Sequence, residues 1–323
     1  MNYRHRTPKN KPVEARNIDG VYTALITPML AGKGLSNSID YPKLYRLIDD
    51  QERAKVAGIV IAGTTGQSAT LDWKEHEELV TNAFNYTGKN YPLMQFIVGA
   101  GSNCTREALI HSWNIERKIG PSTFLHVTGY YNNPTQEGLF QHYRTLSESL
   151  PNSNIIIYNV PGRTSSNILP ETVIRLANET SNIVGIKEAS GNLEAAKEII
   201  DHTRRNRFRV LSGEDHLVND MMQLGAAGVI SASANLAPRY FNEIISYAQR
   251  GHCAEAEAMQ KEINPLVKQG VFRIKNPIPL AYYFNTHLRL PLTPVPEELR
   301  PGLDTLISGY TPERLGIDLR NYR

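Results

Sequence analysis

Asn182-Ile183-Val184-Gly185-Ile186-Lys187-Glu188-Ala189-Ser190-Gly191 is the stretch on which the reading of this chain turns. Ile183, Val184 and Ile186 form an apolar run with no polar face, the pattern of a parallel strand buried on both sides. The run ends in a lysine. Burying an ammonium there costs several kcal/mol, at about 1.4 kcal/mol per pKa unit, and favours the neutral amine. A neutral lysine amine attacks carbonyls and forms Schiff bases. An isolated lysine after a strand more often snorkels into solvent, since lysine is almost never fully buried. The ends of the other strands have to decide between these readings.

Outward from this stretch the chain repeats one beat of apolar strand, turn residues and amphipathic helix. Strands are expected at Val21–Thr27, Gly58–Ala62, Leu93–Val98, Thr123–Val127, Ile155–Tyr158, Ile183–Lys187, Phe208–Ser212 and Gly228–Ser231. The helical patterns are Tyr41–Val56, Trp73–Tyr86, Thr105–Ile119, Gln136–Leu150, Pro170–Asn178, Leu193–Arg204, Asp215–Leu224 and Pro238–Arg250. Alternation of this kind implies parallel pairing through right-handed crossovers. Such units closing on themselves give an α/β fold, a (β/α)8 TIM barrel of about 230 residues. An open dinucleotide-binding sheet fits less well, because Gly99-Ala100-Gly101 lacks a third glycine at Cys104. The expected organisation is a basic, disordered arm over 1–20, the barrel over 21–250 and a C-terminal helical extension over 251–323. Asn276-Pro277-Ile278-Pro279 interrupts the extension, and its last residues, Gly309–Arg323, read as a polar surface segment.

Charge and cysteine content remove several function classes. The formal net charge is +3 over 323 residues, yet Arg4, Arg6, Lys9, Lys11 and Arg16 against Glu14 put more than that in the arm alone. The remainder is slightly acidic, so no basic face for nucleic acid is indicated. Cys104 and Cys253 have neither disulfide nor metal spacing, which points to a reducing, cytoplasmic compartment. No apolar run is long enough to span a membrane. Organelle targeting by the arm is the lesser alternative, as it lacks the serines of a transit peptide.

In a barrel, chemistry gathers where the strands end. After the second strand stands Gly63-Thr64-Thr65-Gly66-Gln67-Ser68, hydroxyls bracketed by glycines, suited to a carboxylate or phosphate. The fourth strand ends in Gly129-Tyr130-Tyr131-Asn132 and the fifth in Tyr158-Asn159-Val160-Pro161-Gly162-Arg163-Thr164. The seventh ends in Gly213-Glu214-Asp215-His216, whose acids suit the first turn of a helix. A lysine among hydroxyls with one arginine, and no metal-ligand spacing, suits a Schiff-base lyase. His76-Glu77-Glu78 lacks a second histidine one turn on, so no metal site is expected.

Gly63-Thr64-Thr65-Gly66, Tyr158-Asn159-Val160-Pro161-Gly162-Arg163-Thr164 and Gly185-Ile186-Lys187-Glu188 together resemble the dihydrodipicolinate synthase family of the class I pyruvate-dependent aldolase superfamily. Tyr130-Tyr131-Asn132, Asn276-Pro277-Ile278-Pro279 and Leu288-Arg289-Leu290-Pro291 match as well, over about Val21 to Pro294. The resemblance implies a Schiff base between Lys187 and pyruvate, with no other cofactor. Thr64, Tyr131 and Tyr158 would relay protons, Tyr131 from a neighbouring subunit of a homotetramer made of two tight dimers. Thr65 would hold the pyruvate carboxylate, with Gly213 and Ile230 beside it, and Arg163 the carboxylate of aspartate 4-semialdehyde. The implied product is 4-hydroxy-tetrahydrodipicolinate, on the route to diaminopimelate and lysine. Ser68, Ala69, Trp73, His76, Asn103, Glu107 and Tyr130 would line a site for the feedback inhibitor L-lysine.

Two positions depart from the family pattern. Gln67 stands where glutamate is common, keeping the shape without the charge, and Gly129 where proline is common, freeing φ near Tyr131. N-acetylneuraminate lyase and related keto-acid lyases share barrel and lysine but resemble the chain less at Thr65 and Arg163. A non-catalytic, metabolite-sensing paralogue would account for Gln67 and Gly129, though every reactive side chain is present.

Overall fold

The computed structural model describes residues 18–32, 37–205 and 207–323. The expected basic arm lies outside the described residues except for its last positions, where Gly20 already begins the first strand. Eight parallel strands close in chain order: β1 (Gly20–Ala24), β2 (Gly58–Ile61), β3 (Gln95–Gly99), β4 (Thr123–Val127), β5 (Asn154–Asn159), β6 (Ile183–Glu188), β7 (Arg209–Ser212) and β8 (Gly228–Ser231). Pairing of Val21 with Val229 and of Tyr22 with Ile230 shuts the sheet into a TIM barrel.

Around it run α1 (Tyr41–Arg53), α2 (Trp73–Asn90), α3 (Thr105–Ile119), α4 (Gln136–Ser149), α5 (Pro161–Thr164), α6 (Pro170–Glu179), α7 (Leu193–Thr203), α8 (Val218–Leu224) and α9 (Pro238–Gln249). Their starts are written locally. Asp72 and Glu75 form a reciprocal capping box on α2, while Asp40, Thr135 and Asn192 cap α1, α4 and α7. Two details differ from the sequence expectation. Pro161 at the first helical position turns the end of β5 into the short α5, which carries Arg163. The pattern at Asp215–Leu224 begins as a 3-10 turn, with Asp215 drawn inward to the backbone N–H of Ser233, and becomes helical at Val218.

After the barrel come α10 (Cys253–Pro265), which widens into a π-type turn over Leu266–Val271, then α11 (Ile278–Tyr283), α12 (Arg300–Ser308) and α13 (Pro312–Leu315). The last segment is not the polar surface strip its composition suggests. Leu315, Ile317 and Tyr322 are buried, Tyr322 packs edge-on against Phe284, and its hydroxyl donates to Asp50 of α1. No helix among the described residues is long and apolar enough to cross a membrane.

Strand parity separates two cores. Ile155 and Ile157 face the helices, whereas Ile156 and Tyr158 face the barrel interior with Tyr22, Val60, Ile97, Leu125, Leu211 and Ile230. On β6 that alternation breaks. The β5–β6 register shifts so that Ile155 pairs with Ile183 but Ile156 with Gly185. Ile183 and Ile186, three apart, both pack in the outer layer, and Val184 packs inside. The bulge therefore restarts the alternation one residue late, and Lys187 turns inward, over the ring of Tyr158. Gly185 permits it, since a Cβ there would stand 2.3 Å from the Arg209 carbonyl oxygen and 2.9 Å from Ile18 Cδ1. Gly185→Ala should lower the unfolding free energy by about 1–3 kcal/mol, the usual cost of overpacking. The midpoint of urea denaturation measures this, and an unchanged midpoint would mean that β6 absorbs the methyl group.

Candidate active site

A cavity of about 770 Å³ opens at the carboxyl ends of the strands. Lys187 lies in its wall, 7% exposed, with Nζ 4.4 Å from the centroid of the Tyr158 ring. The two residues are direct register partners on β5 and β6, which brings amine and phenol to one level of the barrel. Gly213, after β7, leaves room for the lysine stem: a Cβ there would sit 2.5 Å from Ala189 Cβ and 3.1 Å from Lys187 Cγ. Thr64 and Thr65 line the same cavity from the loop after β2, and Arg163 lines it from α5. Ile230 is fully buried in the inner core and does not reach the cavity surface.

Tyr131 stands apart. It is 93% exposed, has a φ of 73°, and does not line the cavity of its own chain. Its backbone N–H donates to the Thr164 carbonyl at 3.4 Å, which ties the loop after β4 to α5.

The other half of the cavity holds Ser68, Ala69, Trp73, His76, Glu107 and Tyr130. Ser68 and Ala69 occupy a 3-10 turn ahead of α2, and Trp73 begins that helix. Glu107, in the first turn of α3, accepts from the Ser102 hydroxyl. Asn103 is outside the cavity wall but donates to the Tyr130 carbonyl at 3.2 Å. Behind Trp73 runs a row of imidazoles, three buried and the last half-buried. His111 contacts the Trp73 ring at 4.2 Å and His76 through a 3.0 Å nitrogen–nitrogen approach, with His126 on β4 and His142 on α4 beyond. Burial holds His76 down to about 4, His126 to about 3 and His142 to about 4, and lowers His111 too, so the row is neutral at neutral pH.

Three residues take roles that the sequence reading did not assign. Asn276 donates to Thr65 Oγ1 at 3.0 Å and lines the cavity; the sequence marked it only as part of the Asn276-Pro277-Ile278-Pro279 motif, with no role for the asparagine itself. Gln67 is fully used as an amide: Nε2 reaches the carbonyls of Thr27 and His287 at 3.4 and 3.5 Å, and Oε1 accepts from the Arg289 N–H at 3.2 Å. A carboxylate there would face two carbonyl oxygens. Glu214 lines the cavity instead of lying in a helix turn, and its neighbour Asp215 is buried. Burial, then Asp215, push the Glu214 carboxyl up to about 7, against the pull of Lys187 and Arg163.

The sequence profile of the dihydrodipicolinate synthetase family matches residues 17–309. The chain belongs to that family. Membership makes it a lyase of the aldolase type. A 4-hydroxy-tetrahydrodipicolinate synthase from Ectopseudomonas mendocina is 40% identical over 282 residues, which is 85% of this chain and 92% of the relative. The chloride-inhibited dihydrodipicolinate synthase of Acinetobacter baumannii, solved with pyruvate, superposes with a TM-score of 0.83 at 36% identity, covering 90% of this chain and 98% of that one. The enzyme of Cyanidioschyzon merolae, solved with lysine bound, gives 0.81 at 33% identity, covering 90% and 97%.

Glu214 makes stability depend on pH. Its folded pKa lies above the ordinary 4.5, so its contribution is complete below about 4.5 and is lost as pH rises through about 7. Glu214→Gln removes that loss. The variant's melting temperature should match the wild type near pH 4.5, exceed it by a margin that grows up to about pH 7, and keep a constant margin beyond; a difference independent of pH across that window would contradict the assignment.

Proposed function

We propose that the chain condenses pyruvate with L-aspartate 4-semialdehyde to 4-hydroxy-tetrahydrodipicolinate through a Schiff base on Lys187. The observation that carries this reading is the inward-turned lysine of β6, buried at the cavity wall against a phenol. Lys187 Nζ attacks the pyruvate ketone, and the carbonyl oxygen leaves as water once protonated. Loss of a methyl proton turns the imine into an enamine, whose carbon attacks the aldehyde and forms the new carbon–carbon bond. The amino group of the second substrate then displaces Lys187 and closes the ring.

Tyr158 and Thr64 carry protons in these steps, joined by Tyr131 of a second subunit, whose outward position in its own chain suits that role. Thr65 holds the pyruvate carboxylate, with Gly213 lining the pocket beside it and Ile230 held back in the inner core, and Arg163 takes the carboxylate of the aldehyde substrate. A guanidinium fork suits a carboxylate better than an ammonium does. The working assembly is a homotetramer made of two tight dimers.

The half of the cavity around Trp73 is a site for L-lysine. Glu107 pairs with an ammonium, Tyr130 and Asn103 bond the amino-acid head, and Trp73 offers an apolar wall and a cation–π face. Because Tyr130 precedes Tyr131 in the chain, a ligand that holds one biases the other. Coupling of this kind is commonly worth about 1–3 kcal/mol.

Borohydride added with pyruvate should inactivate the protein and leave a reduced adduct on Lys187 in peptide mass mapping. Lys187→Ala should abolish both adduct and turnover, the latter by several powers of ten. An adduct on another lysine would refute the assignment. L-Lysine should inhibit the wild type, and Glu107→Ala should relieve inhibition while keeping most activity. Initial rates that stay flat through millimolar lysine would remove the effector site from this reading.

A further inference from the structure

The chain between α10 and α11 brings one polar residue into the barrel mouth from outside the barrel. Asn276 is 5% exposed and lines the cavity. Its Nδ2 donates to Thr65 Oγ1 at 3.0 Å, and its main-chain carbonyl accepts from Arg163 Nη2 at 3.1 Å. Its Oδ1 is buried with no partner among the described residues. A carboxamide with an unmet acceptor is a poor choice for packing alone, since an apolar side chain of similar size would avoid the desolvation cost.

The direction of the bond to Thr65 matters more than its presence. A threonine hydroxyl has one hydrogen to give. While Oγ1 accepts from Asn276, that hydrogen is free to point at an anion, and a chain of donors running amide to hydroxyl to carboxylate strengthens along its length. The second contact uses the backbone, which every residue type supplies.

We propose that Asn276 is a positioning residue for both substrates. Its side chain orients the Thr65 hydroxyl as a donor to the pyruvate carboxylate, and its main chain anchors the Arg163 guanidinium for the carboxylate of the aldehyde. This rests on the Schiff-base reading given above. Substitution at 276 then separates the two halves, because only the pyruvate half depends on the side chain.

The test measures the pyruvate concentration that half-saturates borohydride-trapped adduct on Lys187, together with the KM for the semialdehyde. Asn276→Ala should raise the pyruvate requirement about five- to tenfold, the scale of one lost hydrogen bond, and leave the semialdehyde KM within about twofold. Asn276→Asp reverses the bond when ionised, since a carboxylate accepts from Thr65 and turns its hydrogen away from the substrate. An ordinary aspartate is ionised throughout the assay range, so Asn276→Asp should raise the pyruvate requirement at least as much as Asn276→Ala. An unchanged pyruvate requirement in Asn276→Ala, an equal rise in both constants, or an Asn276→Asp variant with the wild-type pyruvate requirement would each overturn the proposal. Should Asn276→Ala fail to fold, the pyruvate requirement of Asn276→Asp decides alone. A wild-type chain that forms no adduct at all would overturn the Schiff-base reading instead, and this proposal with it.

Discussion

The alternation of side chains along a strand decides which residues reach the middle of a barrel, and on β6 that alternation is reset. With strict alternation, Ile183 facing the helices would put Ile186 inside and Lys187 outside. The bulge at Val184–Gly185 inverts both. An isoleucine gains a place in the outer core, and the lysine gains the only direction from which it meets Tyr158. Neighbouring strands are built around that choice. β5 supplies the phenol in register, and the end of β7 supplies a residue without a side chain where the lysine stem passes.

The residues after the barrel hold the loop that follows β2. Gln67 joins it to the carbonyl of His287 and the N–H of Arg289, while the Arg289 guanidinium pairs with both carboxylate oxygens of Glu75 at 2.6 Å. Arg289 keeps the Glu75 carboxyl below its ordinary range. Glu75 also closes the capping box at the start of α2, so one arginine fixes the far end of the loop that carries Thr64 and Thr65. Hydrogen bonds to charged groups are worth about 1.5–3 kcal/mol when little solvent intervenes, and less with Glu75 about a third exposed. The extension is thus part of the machinery that shapes the cavity.

Much of this was legible in the amino-acid order, and the limits have physical causes. The barrel followed from periodicity, because strands buried on both faces and helices apolar on one stripe leave different patterns. Thr105–Ile119 was read to the residue, since its ends coincide with a strand-like cysteine and a glycine. Lys187 could be marked as the end of an apolar run, but nothing in Ile183-Val184-Gly185-Ile186 announces a change of parity, which depends on pairing with β5. Glu214 was taken for a helix-turn acid because an acid beside a helix start is ordinarily solvated; here it is half-buried in the cavity wall. Tyr322 looked like a surface residue because its partner, Asp50, lies far away in sequence. Asn276 stood inside a matching motif, but nothing in the order of residues shows that its amide meets Thr65.

The buried imidazoles behind Trp73 carry a consequence for life in acid. An unfolded chain takes up protons on such side chains near pH 6.5, while the folded chain refuses them until pH 4 or below. Their contribution to stability is therefore full above 6.5 and drains away as pH falls from there towards the folded values. His76, His111, His126 and His142 link α2, α3, β4 and α4, so protonating the row would force charge between packed layers on one side of the barrel. Acid would therefore weaken the flank of the barrel that borders the half of the cavity around Trp73.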